Sequence, residues 1–141
     1  MLPKTWYIIC APVADQLTKA AFRARNKGDF EMAALLYVQG RRIKGCRLLR
    51  NLSKKPSSYE CDYHEYTKAI NNRPKWATSY IFFHSHPISE GPSCSDVRSA
   101  GLKELNVIFD CVSGTFHMYR YTRSIRKEAK KSHIGETWIK S

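Results

Sequence analysis

No apolar run in this sequence approaches the roughly 18 residues that a membrane-spanning helix needs, so no membrane span is expected. The first residues, Met1-Leu2-Pro3-Lys4-Thr5, lack the apolar stretch of a secretory signal peptide, and a cytoplasmic setting is the expectation. Cysteine is sparse. Cys10, Cys46, Cys61, Cys94 and Cys111 form no C-x-x-C pair, and the odd count of 5 argues against a disulfide framework. They read as reduced thiols, most of them in the core. Internal repeats and long low-complexity segments are absent, which excludes a repeat array. Acidic residues are few as well: 12 Asp and Glu face 24 Lys and Arg, for a formal charge of +12.

What is present fits a single domain over residues 1–141, long enough to bury one core, with 43% hydrophobic residues to fill it. The order of elements reads as an α/β class. Trp6-Tyr7-Ile8-Ile9-Cys10 is a first strand, and Val13, Leu17, Ala20, Ala21 and Ala24 follow at helical spacing until Gly28 and Asp29 end the helix. Strands are expected at about 31–39 and 45–51, separated by a basic turn, Arg41-Arg42-Ile43-Lys44. A Lys/Pro/Ser loop from Ser53 to Ser58 leads to Asp62 and Glu65, a capping box for a helix to about Asn71. Val107 to Cys111 and Thr115 to Arg120 read as a hairpin across Ser113-Gly114. The basic C-terminal segment, about 123–141, is expected to hold a short helix before a final strand around Glu136 to Ile139.

The chemistry concentrates in Phe83-His84-Ser85-His86-Pro87 and Pro92-Ser93-Cys94-Ser95-Asp96. Side chains alternate along a strand, so His84 and His86 point to one face and can reach one ion. The apolar, aromatic run Tyr80-Ile81-Phe82-Phe83 reads as the buried strand that delivers them. Pro87, Gly91 and Pro92 turn the chain, and Ser93 to Asp96 opens a helix whose first turn holds Asp96. Two imidazoles and a carboxylate leave the fourth position of a tetrahedral Zn²⁺ for water, as a hydrolytic site requires. Taken alone, His-x-His can be incidental and Ser-x-x-Asp is an ordinary helix cap. The succession of strand, His-x-His, turn, Ser-x-x-Asp and helix favours the metal.

H-S-H-P followed by S-x-x-D resembles the JAMM signature of the JAB/MPN metalloproteases, zinc-dependent isopeptidases acting after the C-terminal glycine of ubiquitin or ubiquitin-like proteins. Glu31-Met32-Ala33-Ala34-Leu35-Leu36-Tyr37-Val38-Gln39-Gly40 is similar to the family's glutamate strand, and Asn51 and Asp62-Tyr63-His64-Glu65 are weaker echoes. The likeness covers about residues 5–122. It implies a mixed, curved sheet flanked by helices with cytidine deaminase-like layering. His84, His86 and Asp96 would bind zinc, Glu31 would be the general acid/base, and Ser93 would stabilise the oxyanion. Two features depart from the family. Nine residues separate His86 from Asp96, one fewer than is common, and Ala34 stands where glycine is usual. The short chain resembles prokaryotic and phage members, whose settings include antiviral ubiquitin-like conjugation operons, sulfur carriers and phage tail assembly.

Other readings stand beside this one. Glu31 alone would pass for a solvated charge, and Glu60, Glu65 and Glu90 are rival bases. Cys94 could act as a nucleophile activated by His84 or His86, or as an oxidation-sensitive neighbour. His64, His117 and His133 suggest surface or core roles, and Tyr37, Tyr59, Tyr63, Trp76 and Trp138 suggest core or groove packing. The charge at Arg120, Arg123, Arg126, Lys127, Lys130 and Lys131 suits a solvated face, nucleic-acid phosphate contacts, or steering of an acidic ubiquitin-like substrate. A different class of function is a binding module of this fold, recognising a protein tail or nucleic acid through a silent site.

Overall fold

Helix α1 (Ala11–Gly28) begins with Pro12 in its first turn, where a missing N–H leaves no bond unmade. It stops at Asp29, whose left-handed backbone (φ 55°, ψ 39°) lets its N–H close on the Arg25 carbonyl at 2.8 Å. The computed structural model describes residues 6–88, 105–121, 126–129, 131–133 and 136–140. Among these, strand β1 (Trp6–Ile9) precedes α1, and β2 (Ala33–Gln39) and β3 (Arg42–Leu49) form an antiparallel hairpin after it. Helix α2 (Tyr63–Asn71) then leads to β4 (Ser79–His86), β5 (Leu105–Asp110) and β6 (Thr115–Tyr121). The strands β7 (Arg126–Ala129), β8 (Lys131–His133) and β9 (Glu136–Lys140) complete one sheet in the order β7-β6-β5-β4-β2-β3-β1-β9-β8. β4 and β5 run parallel, as do β1 and β3, so the sheet is mixed and the α/β class holds. β6 and β9 stand far apart in strand order yet lie close together in space, so the sheet curls.

The central strand β2 explains why its sequence shows no polar alternation: both of its faces are covered. Ala34, Leu36 and Val38 join Val13, Leu17, Ala20 and Ala21 of α1 in one core, together with Phe83, Val107 and Phe109. Ala33, Leu35 and Tyr37 meet Leu49 and Ala69 in a second core, bordered by Tyr59, Tyr66, Trp76 and Phe82. Tyr37 Oη donates to the Ala69 carbonyl at 2.8 Å and so ties α2 to that face. Gly45 lets the Trp76 ring come close, since a Cβ there would meet the ring at 3.3 Å. Tyr63, by contrast, is 77% exposed and packs in neither core.

Three expectations need correction. The β2–β3 connection is not a basic four-residue turn; Gly40, at φ 62°, turns the chain with Arg41, and Arg42, Ile43 and Lys44 already belong to β3. β2 begins at Ala33, two residues after Glu31. The described residues of the C-terminal segment form strands, where a short helix before the last strand was expected. Arg126–Ala129 pairs antiparallel with β6, and Lys131–His133 with β9. Its Lys, Arg, Glu and Ala content favours a helix only weakly, and the edge of β6 offers a ladder of unmade backbone bonds that decides the matter.

Buried thiols and phenols in the two cores also set an alkaline limit. Burial pushes the Cys46 thiol up to about 11 from 9.0, and burial is likewise the main cause of upward shifts at Cys111, Tyr37 and Tyr59. Each of these groups is neutral when protonated, so the folded chain resists their ionisation. The stability they contribute is whole below their unfolded values and is lost as pH rises through the folded ones. Denaturant titrations followed by circular dichroism should show stability falling between about pH 9 and about pH 11, less steeply in Cys46→Ala. A flat profile to pH ~11 would mean that water reaches these groups.

Candidate functional site

His84 and His86 end β4 on the face that α2 shares, and pairing fixes what stands beside them. His84 lies opposite Ala33 of β2 and beside Ile108 of β5, while His86 is in register with Asp110. Continuing the β2 register two residues back sets Glu31 against His86. On the far side of β5, Ile108 faces His117 and Asp110 faces Thr115. Period-two alternation puts all of these residues on one face of the sheet.

The two imidazoles are buried, at 5% and 2% exposure, and their Nε2 atoms lie 3.1 Å apart with ring centroids at 5.0 Å. Phe82, its ring centroid 5.8 Å from that of His84, backs the outer ring. Two nitrogens bound to one tetrahedral zinc at its usual bond length would be separated by about 3.4 Å. The separation found is close to that value and also suits an N–H···N hydrogen bond, so the rings keep their convergent aim with or without a cation.

Glu31 precedes β2, and its backbone is held from two strands. Met32 N–H donates to Ser85 Oγ at 2.8 Å, and Ser85 N–H donates to the Met32 carbonyl at 2.8 Å. The serine between the two histidines thus clamps the residue next to Glu31. From the end of β3, Asn51 Nδ2 donates to the Glu31 carbonyl at 3.0 Å and to the Ser58 carbonyl at 2.9 Å. Asn51 Oδ1 accepts from Ser53 N–H at 2.9 Å and from Glu60 N–H at 3.1 Å. Of the rival bases, Glu65 is committed elsewhere. Its backbone N–H donates to Asp62 Oδ1 at 3.2 Å, as a capping box requires. Its carboxylate does not complete the box; it accepts from Arg50 N–H and lies 3.8 Å from the Arg50 guanidinium.

Asp110 escaped the reading of the sequence, and His117 was read there only as a surface or core residue. Asp110 is fully buried, with Oδ2 2.5 Å from His117 Nε2 and Oδ1 3.8 Å from His86 Nδ1. His117 is itself buried, and its Nε2 lies 3.4 Å from Thr115 Oγ1. A buried carboxylate needs partners, and two imidazoles are among those of Asp110. The available signal was the lone acidic residue in the apolar run Val107-Ile108-Phe109-Asp110, an unusual residue for a strand interior. His64 is exposed on α2, away from this array.

The structure therefore brings His84 and His86 together and sets Glu31 beside them. Ser93, Asp96 and Cys94, and with them the expected site helix and the rival base Glu90, lie outside the described residues. Among the described residues, no cluster of three or more His, Cys, Asp or Glu forms a metal-holding group. The donor chemistry of the two converging imidazoles fits zinc, with a third ligand still to be supplied.

No family model matches this chain, and no curated protein matches it. A protein from Salinibacter ruber, known from its solution structure, is similar to it in fold, with a TM-score of 0.58 and 17% identity over 86% of this chain and 87% of that one. At that identity the likeness is one of fold, a mixed sheet with flanking helices.

Proposed function

We propose that this chain is a zinc-dependent protease of the JAB/MPN kind, with that family's fold, which hydrolyses the bond after the C-terminal glycine of a ubiquitin-like protein. The observation that carries the reading is the convergence of His84 Nε2 and His86 Nε2 at 3.1 Å, on the face and at the level of the sheet where Glu31 is anchored. His84 and His86 would hold the metal, and by the sequence resemblance Asp96 would be the third ligand. When bound, zinc supplies a Lewis acid that polarises the scissile carbonyl and acidifies water.

The chain's own groups then carry the protons. Glu31 accepts one from the attacking water as the new C–O bond forms, and returns it to the amine nitrogen as the C–N bond breaks. Ser93, by the same resemblance, would donate to the oxyanion. Burial of both imidazoles would shield the nitrogens that hold the metal from bulk water. The charge of +12 suits the capture of an acidic partner protein. A cytoplasmic place of action goes with this reading, since Cys10, Cys46, Cys61 and Cys111 are free thiols. Among the described residues, no helix is long and apolar enough to cross a membrane.

Metal analysis of the purified protein, paired with a fluorogenic reporter joined to the C-terminal glycine of a ubiquitin-like protein, tests the proposal. The expected result is roughly one zinc ion per chain, with cleavage abolished by a zinc chelator and restored by added zinc. Cleavage that continues undiminished in chelator would sink it, as would a protein that takes up no zinc. A salt-sensitive nucleic-acid shift without cleavage would favour the binding module instead.

A further inference from the structure

We infer that Asp110, itself braced by His117, is a positioning residue that sets the ring of His86 for metal binding. The inference rests on the zinc reading above and adds to it two residues that play no part in the proposed chemistry. A histidine that binds a metal through one ring nitrogen almost always donates the other N–H to a carboxylate, a backbone carbonyl or a water, which fixes both tautomer and ring orientation. His86 turns Nε2 towards His84 and Nδ1 towards Asp110. Asp110 divides its two oxygens between two rings, Oδ1 on the side of His86 and Oδ2 against His117 Nε2 at 2.5 Å.

The register makes this arrangement a property of the sheet. Parallel pairing sets Asp110 beside His86, and the β5–β6 hairpin returns His117 two pairs along on the same face, opposite Ile108. With one oxygen anchored by His117, the carboxylate cannot swing away from His86 without breaking that contact. Attraction between Asp110 and an Nδ1–H on His86 keeps the proton on Nδ1. The Nε2 lone pair is then the one presented to the metal. The 3.8 Å between Oδ1 and Nδ1 is longer than a hydrogen bond, and a small rotation of the ring on metal binding would close it.

The test is zinc affinity, read by competition with a chromophoric chelator, alongside the melting temperature of each metal-free protein. Asp110→Asn should bind zinc about 10- to 100-fold more weakly than the wild type. His117→Gln should weaken it by a smaller factor, since it loosens the carboxylate without removing it. Should Asp110→Asn fail to fold, His117→Gln carries the test. The visible spectrum of the cobalt-substituted protein adds a readout that a loss of packing alone would not move: altered band positions are expected in the variants. Wild-type protein that binds zinc tightly while the folded variants bind it equally well, with unchanged cobalt spectra, overturns the inference and leaves the zinc reading standing. Wild-type protein that binds no zinc overturns the zinc reading itself.

Discussion

Glu31→Gln is expected to lower turnover of the ubiquitin-like reporter by about 10²- to 10⁴-fold, the usual worth of a positioned general acid/base, with zinc content and melting temperature near those of the wild type. Glutamine keeps the volume and the oxygen of the side chain but offers no basic site for a proton. The backbone contacts that hold the residue, from Asn51 and through Met32 from Ser85, do not involve the carboxylate, so the substitution leaves them in place. The metal should remain as well, because His84 and His86 belong to a different strand. Loss of turnover with retained zinc is therefore specific to the proton-transfer role. A variant as active as the wild type would show that the base lies elsewhere. Glu65 would be the poorest substitute, since its carboxylate already serves Arg50. A variant that loses its zinc would make Glu31 a ligand rather than a base.

The histidine strand was legible because its signal is local. A buried apolar run and a period of two place His84 and His86 on one face, whatever the strand pairs with. The helix α1 was legible for the same reason, from the spacing of Val13, Leu17, Ala20 and Ala21. Glu31 is a different case: nothing in its own surroundings marks it, and it stood out only through the resemblance of the strand that follows. The tie of Asp110 and His117 to His86 was hidden because it is non-local. Only the parallel pairing of β4 with β5, and then the register of the next hairpin, brings them to His86. The C-terminal strands failed in the opposite direction. Local propensity in Arg126–Ala129 pointed to a helix, and a distant partner, the edge of β6, outweighed it.

Asn51→Ala should cost about 2–4 kcal/mol of stability and at least about 10-fold in turnover, an effect large for a residue with no part in the chemistry. The side chain makes four hydrogen bonds, all to backbone groups: the carbonyls of Glu31 and Ser58 and the N–H groups of Ser53 and Glu60. Each is worth about 0.5–1.5 kcal/mol net, and the partly exposed ones sit at the low end of that range. Denaturant unfolding measures the sum. The catalytic loss has a separate origin. Without the Nδ2 donor, the Glu31 carbonyl is released from the end of β3, and a displacement of about 1 Å at a reacting group can cost as much as 10²-fold. Zinc content should change little, since neither Asn51 nor Glu31 is among the proposed ligands. Asn51→Asp separates the two effects, because it keeps the Oδ1 acceptor for Ser53 and Glu60 but turns a carboxylate towards the Glu31 and Ser58 carbonyls. Its turnover should fall at least as far as that of the alanine variant, even under conditions where both are fully folded. Wild-type turnover in folded Asn51→Asp would mean that Ser85, acting through Met32, is enough to hold Glu31.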